Sequence, residues 1–252
     1  FKDNYFKMNV EKCHLLIKSQ NDNISTTINC INILNQKYVK LLGIKFDNNL
    51  NFKEHILDLC KKANLKLHAL ARVSHLMDQR KLRILMKAFV ESQFSYCPLI
   101  WMFHSRKINN RINKLHERAL RIAHKNYKSS FDQLLIIDNS FTIHHRNLQR
   151  LAIEMFKVRN NLLPKFMETV FPISTHDYDL RTNVPFQTSN VHTVNYGTET
   201  ISFRGPKTWA IVPNEIKYSR NLVIFKAKIK TWMPIGCECR LCKVYIPNYG
   251  FI

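Results

Sequence analysis

The hydrophobic pattern of the chain changes its period near residue 50. Before that point, apolar and polar residues alternate over residues 24–30 and 42–46, and a short apolar run covers Cys13–Ile17. A period of two bounded by an Asn-rich turn such as residues 20–23 is typical of β-strands. The pattern predicts a small antiparallel sheet, in which Gly43 marks a bulge or a close backbone approach in the third strand.

After residue 50, apolar residues recur at three- and four-residue spacing, which predicts amphipathic helices. Asn51 and Glu54 resemble a capping box, and Pro164 bars continuation of the fifth helix. The predicted helices follow Asn51 and cover residues 78–90, 105–126, 130–135, 142–161 and 221–232.

The loss of helical period from residue 172 to 205 predicts an irregular segment with short strands, punctuated by Gly205-Pro206. We therefore predict an α+β fold, predominantly helical, with a short antiparallel β start and a mixed, irregular C-terminal region. The predicted regions are 1–50, 51–171 and 172–252.

Composition places the chain among globular proteins, with 45% hydrophobic and 23% charged residues in a total of 252. No apolar run approaches the roughly 20 residues that a membrane helix needs. Seven cysteines and no secretory signal predict reduced thiols and an intracellular location, in the cytoplasm, the nucleus or both. The sequence begins at Phe1, within a pattern of apolar and polar residues, which suggests that it is the C-terminal part of a longer protein.

The most unusual feature of the composition is a net charge of +21. It predicts a polyanionic partner, most often RNA or DNA, with anionic membrane surfaces and acidic proteins as alternatives. Residues 61–128 hold 16 Lys or Arg against three Asp or Glu, so most of the excess lies there.

The predicted third helix carries two parallel stripes. An apolar stripe recurs at 4-3-4-3 spacing, and a second stripe, shifted by one residue, is entirely cationic. Like charges one turn apart cost a helix about 0.2–0.5 kcal/mol per pair, and bound phosphates would offset that repulsion. The alternative is an ordinary solvated face of a helix that packs on the core. The apolar stripe is Ile108, Ile112, Leu115, Ala119 and Ile122, and the cationic stripe is Lys107, Arg111, Lys114, Arg118, Arg121 and Lys125.

Aromatic residues lie between the basic helices and are candidates for stacking on bases, although such residues more often belong to the core. They are Phe94, Tyr96, Trp101 and Phe103.

Cys237, Cys239 and Cys242 are spaced as possible zinc ligands, but tetrahedral zinc needs a fourth. That ligand would come from Cys60, Cys97, a histidine or another chain. Because no fourth ligand is identified, the sequence favours buried or redox-inert cysteines over a zinc site.

The sequence contains few patterns that are typical of catalytic sites. No Gly-rich phosphate loop, His-Glu-x-x-His or Gly-x-Ser-x-Gly motif occurs. Asp177 and Asp179 form one weak pairing and His144-His145 another, and loop or capping roles explain both. We find no carboxylate cluster suited to two magnesium ions.

Five stretches form an ordered set of motifs along the chain. The first is Phe6–Leu16, with Asn9 and Lys12. The others are Val39–Asp47 with Leu50, Phe52 and His55-Ile56; Phe89–Trp101; Lys114–Arg121; and Gly205–Trp209 with Pro213, Ile216 and Phe225-Lys226. Taken together and in order, these motifs resemble the C-terminal part of a LINE-type (non-LTR, jockey-like) retrotransposon reverse transcriptase, in which the first stretch resembles the last palm motif.

The resemblance implies the end of a palm, a primer-grip hairpin, a helical thumb and a terminal region of an RNA-directed DNA polymerase. Lys12 matches a lysine sometimes considered a proton donor. The aromatic-Ala-Asp-Asp signature and the first metal-binding Asp of the family have no counterpart here, so the magnesium expected in a full-length polymerase has no ligands in this sequence. The tail cysteines do not reproduce a Cys-Cys-His-Cys knuckle.

The resulting hypothesis is a fragment of a retrotransposon polymerase that retains binding of template–primer duplex or element RNA and is inactive by itself. The alternative is a domesticated or degenerate protein-interaction module without a nucleic-acid role.

Overall fold

The computed structural model describes residues 9–18, 24–173, 186–193 and 197–242. Most of these residues are helical and two small antiparallel hairpins precede the helices, which confirms the predominantly helical α+β class. The chain divides into two compact units, Phe1–Leu59 and Cys60–Ile252. Asp177 and Asp179 lie outside the described residues. No helix within the described ranges is both long and apolar enough to cross a bilayer.

The first unit contains two separate hairpins instead of the single predicted sheet. Strand β1 (Ser25–Ile28) pairs with β2 (Ile31–Leu34), and β3 (Tyr38–Leu41) pairs with β4 (Ile44–Asp47). Each turn consists of two residues with positive φ. These residues are Asn29 and Cys30, with φ of 49° and 63°, and Leu42 and Gly43, with φ of 47° and 86°.

The predicted strands were too long, because the alternating pattern of apolar and polar residues continues through the turns at which the chain reverses direction. Gly43 is a turn residue and does not mark a bulge within a strand. The predicted strand at Cys13–Ile17 is also wrong, since only Leu15 forms a bridge, to Asn35. The Asn35 side chain accepts a hydrogen bond from the Ile17 amide at 2.9 Å.

Helix α1 (Lys53–Val73) begins without the predicted capping box. Asn51 Oδ1 accepts from the Lys53 amide at 2.9 Å. The carboxylate of Asp47 accepts from three backbone amides of the preceding turn, including that of Phe52 at 2.7 Å. Asp47 therefore organises the entry to α1, because it satisfies three amides of the turn that leads into the helix.

The helices of the second unit begin close to the predicted caps. Asp78 caps α2 by accepting from the Lys81 amide, and Ser130 forms a capping box with Gln133 on α5. Helix α2 continues into a wider turn at Met86–Val90. The helices after α1 are α2 (Gln79–Leu85), α3 (Pro98–Trp101), α4 (Arg106–His124), α5 (Phe131–Asp138), α6 (Ile143–Arg159), α7 (Phe166–Val170), α8 (Ile201–Ala210), α9 (Asn214–Lys217) and α10 (Leu222–Ile229).

An aromatic core joins α6, α8 and α10. The rings of Phe156 and Phe225 stack with centroids 4.2 Å apart, and the ring of Trp209 stacks on Phe225 with centroids 6.0 Å apart. All three side chains are buried. Burial of such large apolar side chains is the main stabilising contribution to this part of the fold.

Gly205 and Pro206 lie inside α8, which corrects the prediction that they interrupt an irregular segment. A Cβ atom on Gly205 would lie 2.6 Å from Cε1 of Phe171 and 2.8 Å from Sδ of Met155. The glycine therefore allows α8 to approach α6 closely. The local sequence Gly-Pro predicts a break and gives no information about this packing.

Candidate nucleic-acid interface and metal centre

Helix α4 carries both predicted stripes on different faces. Its apolar stripe is buried except for the partly buried Leu115, and neighbouring inward positions include two buried histidines, His116 and His124. The helix packs against α2, α5 and α6. These three neighbours cover the apolar side, so the cationic stripe faces outward.

A buried ion pair fixes the middle of α4. Glu91 Oε1 lies 3.1 Å from Nε2 of His116, and Glu91 Oε2 lies 2.5 Å from Nη1 of Arg146 on α6. Burial opposes ionisation of Glu91, but hydrogen bonds from His116 and Arg146 hold its pKa below the ordinary value. Burial lowers the pKa of His116, and the hydrogen bond to Glu91 opposes this shift only in part. The net pKa is below the ordinary value, so the ring favours the neutral form.

A second buried carboxylate fixes the end of the same helix. Asp138, the last residue of α5, accepts hydrogen bonds from Nε of Arg83 at 2.7 Å and from Nε2 of His124 at 2.9 Å. Burial raises the pKa of Asp138, but the bonds from His124 and Arg83 outweigh it and the net shift is downward. The two clusters fix the rotation of α4 about its axis, and no sequence motif had indicated them.

The cations of the stripe are largely exposed. Lys107, Arg111 and Lys114 are exposed and form no hydrogen bond or ion pair with the described residues. The helical part of the stripe, from Lys107 to Arg121, covers about 21 Å at 1.5 Å per residue. The whole cationic stripe, with Lys125, is the candidate nucleic-acid interface and is called the cationic row below.

The C-terminal half of the row has partners within the chain. Arg121 is partly buried, lies 2.7 Å from the carboxylate of Glu117 and also donates to the Tyr127 carbonyl. Arg118 donates to Asn64 Oδ1 at 3.5 Å. Lys125 has a φ of 51°, ends the helix, and donates to the Met77 carbonyl at 3.0 Å.

The other residues with a predicted nucleic-acid or palm role have local surroundings. Asn9 caps a short turn by accepting from the Glu11 amide, and Lys12 in that turn is exposed. Of the candidate stacking residues, Phe94 and Trp101 are buried and Phe103 packs against the core. Tyr96 is exposed, and its carbonyl accepts from Nε1 of Trp101.

The tail cysteines meet the beginning of α6. Nε2 of His144 lies 3.2 Å from Sγ of Cys239 across 95 positions of sequence. Among the described residues, His144, Cys239 and Cys242 form a group of potential metal ligands whose ligand atoms all lie within 4.8 Å of one another. Cys237 is not part of this group, but its thiol interacts electrostatically with the thiols of Cys239 and Cys242.

The three thiols of the tail shift one another's pKa values. Interactions with Cys239 and Cys242 lower the pKa of Cys237, and interactions with Cys237 and Cys239 raise the pKa of Cys242. Burial lowers the pKa of His144, against the bond to Cys239, so its imidazole favours the neutral form. Neutral imidazole and thiolate are the states that ligate metals.

Cys60 and Cys97 do not belong to this group. Burial raises the pKa of Cys60 to about 11, so it remains a thiol, and Cys97 is exposed at the start of α3. A histidine was among the possible sources of a further ligand, but spacing along the chain gave no means to select His144. Comparison with protein families, with curated proteins and with solved structures finds no match to this chain.

Proposed function

We propose that this chain binds RNA or DNA duplex through the cationic row of α4, as the C-terminal region of a LINE-type reverse transcriptase. The observation that carries the proposal is the exposed trio Lys107, Arg111 and Lys114, which has no partner among the described residues. Phosphates spaced along a duplex provide the negative charges that these three cations lack among the described residues.

The N-terminal turn of α4 supports an anionic partner. Arg106 and Lys107 occupy this turn, it contains no acidic residue, and the Ser105 side chain forms no capping hydrogen bond. The partial positive charge at the start of a helix disfavours cations by about 0.3–1 kcal/mol each. A bound phosphate offsets this unfavourable free energy, because it interacts with both the cationic side chains and the free backbone amides.

The resemblance to retrotransposon reverse transcriptases supplies the biological setting of the proposal. In that setting, the helical region holds template–primer duplex or element RNA while carboxylates elsewhere in the polymerase hold magnesium. The isolated chain is proposed to bind without extending a primer. Primer extension by the purified chain on an RNA template would contradict this part of the proposal.

The decisive test is the salt dependence of duplex binding. We expect the Lys107→Gln, Arg111→Gln and Lys114→Gln triple variant to reduce the slope of log affinity against log salt by about 2–3, at ~0.9 per phosphate contact. Preference between duplex sequences should stay the same, because phosphate contacts position a protein without reading bases.

A charge-matched control separates this interface from general attraction. Lys165, Lys226 and Lys230 are also exposed, and their triple replacement by Gln changes the net charge equally. If both triple variants lose the same affinity and slope, the α4 row is only a solvated face. If the wild-type chain passes a heparin or nucleic-acid column at low salt, the alternative of a protein-interaction module without a nucleic-acid role is favoured.

A further inference from the structure

Two thiols and one imidazole, those of Cys239, Cys242 and His144, converge where the tail of the second unit meets α6, and the thiol of Cys237 interacts with the two thiols from the same loop. His144 lies in the first turn of α6, and the cap residue Thr142 fixes the backbone of that turn by accepting from the His145 amide. Cys239 and His144 are buried, whereas Cys237 and Cys242 are partly exposed. The cluster is therefore enclosed on the side of the core and open to solvent on the side of the cysteine loop.

The backbone of the loop is arranged around sulphur. The amide of Cys242 points at Sγ of Cys239 at 3.4 Å and lies 3.1 Å from the Cys239 carbonyl. Gly236, with a φ of 84°, turns the chain just before Cys237. An amide directed at a sulphur stabilises the thiolate over the thiol, and the thiolate is the metal-binding form.

The loop is also anchored from outside. Nε of Arg106, the first residue of α4, donates to the Arg240 carbonyl at 3.2 Å, and Leu241 is buried. These contacts hold the segment between Cys239 and Cys242 in place independently of any contact among the thiols. The ligands are therefore presented by a fixed loop and a fixed helix.

We propose that Cys237, Cys239, Cys242 and His144 together bind one structural zinc ion. Three sulphur ligands and one nitrogen match the preference of zinc and disfavour magnesium or calcium, which take oxygen ligands. Four protein ligands complete a tetrahedral shell, so no position remains for a substrate or a reactive water. The ion joins the start of α6 to the tail of the unit, and this assignment does not depend on binding of nucleic acid.

His144 was the ligand that spacing could not reveal. The sequence supplied three cysteines within six residues and no fourth ligand nearby, and folding supplies it from 95 positions away. The ring also has a buried Nδ1 without a hydrogen-bond partner in the described structure. Coordination through Nε2 fixes the tautomer that keeps the hydrogen on Nδ1.

The test begins with the full chain purified without chelators. We expect about one equivalent of zinc by elemental analysis, held by three sulphurs at about 2.3 Å and one nitrogen at about 2.0–2.1 Å in X-ray absorption. This measurement needs no variant and therefore does not depend on how variants fold. A wild-type chain that binds no stoichiometric zinc after refolding with the metal, or a shell without three sulphurs, overturns the proposal.

Cobalt substitution identifies the individual ligands. Thiolate-to-cobalt absorption should decrease stepwise in Cys237→Ser, Cys239→Ser and Cys242→Ser, and His144→Asn should change the visible bands. The controls His145→Asn and Cys97→Ser alter an adjacent histidine and a distant exposed cysteine, and both should retain the wild-type spectrum. Retention of that spectrum in Cys237→Ser or His144→Asn contradicts the ligand set, as does a native disulfide between any two of the three cysteines.

Discussion

The guanidinium of Arg121 lies 2.7 Å from the carboxylate of Glu117, one turn earlier on α4. Glu117 is the only acidic residue between positions 92 and 131. The sole acid of this basic segment is thus paired with a cation of the row, so the six cations are not equivalent. Those nearer the start of the helix have no hydrogen-bond or ion-pair partner in the part of the chain that the structure describes.

This pairing predicts that Glu117→Gln strengthens duplex binding. The variant releases Arg121 for a further phosphate contact, which raises the salt slope by up to about 0.9. Conversely, Arg121→Gln should reduce the slope less than Arg111→Gln. Salt titrations by fluorescence anisotropy measure both effects. Glu168→Gln, at an exposed acid of α7, is the control, and an equal gain in that variant would show that only net charge matters.

The buried His116 predicts a loss of stability on acidification. Burial holds its pKa below the model-peptide value of 6.5, so below that pH the unfolded chain takes up a proton that the folded chain resists. Lower pH therefore favours unfolding, and the contribution is fully present only above pH 6.5. We expect His116→Asn to flatten the dependence of Tm on pH between 5 and 7. The exposed His75 is the control, and the same flattening in His75→Asn would contradict the assignment.

The Asp138 cluster predicts a large loss of stability on an isosteric change. Asp138→Asn removes the charge that Arg83 and His124 face in a fully buried position. Removal of one partner from a buried pair costs about 3–5 kcal/mol, and the partial exposure of Arg83 places our expectation near the lower value. Denaturant unfolding measures the change. Asp78→Asn is the control, because Asn caps a helix as well as Asp does, and a similar loss at both sites would refute a special role for Asp138.

The close approach at Gly205 predicts that alanine is not tolerated there. Gly205→Ala adds a methyl group against Phe171 and Met155, and such overpacking costs about 1–3 kcal/mol. In an uncrowded helix the same change would stabilise. A Phe171→Leu background makes room, so the double variant should lose less than the two single changes summed. Additive losses in unfolding experiments would show that the two residues do not interact.

Helix starts were predictable because a cap is a local arrangement. Asp78, Ser130 and Asn221 each bond an amide three positions later, so the residues that determine the start stand next to it in the sequence. The same locality explains the stripes of α4, whose spacing alone separates an inner face from an outer one.

What the sequence did not indicate depended on backbone geometry or on distant partners. A count of alternating residues does not detect positive φ at Leu42, which is not a residue type that favours it. The fit of Gly205 depends on α6 and Phe171, and the partners of Glu91 and Asp138 come from other helices. Each of these requires the tertiary structure to be known first.

The separation between His144 and Cys239 has a consequence for how the protein is made. At about 5–20 residues per second, a ribosome needs roughly 5–20 s to add the 95 residues between them. During that interval α6 can form, whereas Cys239, the thiol that His144 contacts in the folded chain, has not yet been synthesised. The tail thus joins the second unit last. A chain that ends before residue 237 would contain α4 and its cationic row but would lack the contact between His144 and Cys239 at the start of α6.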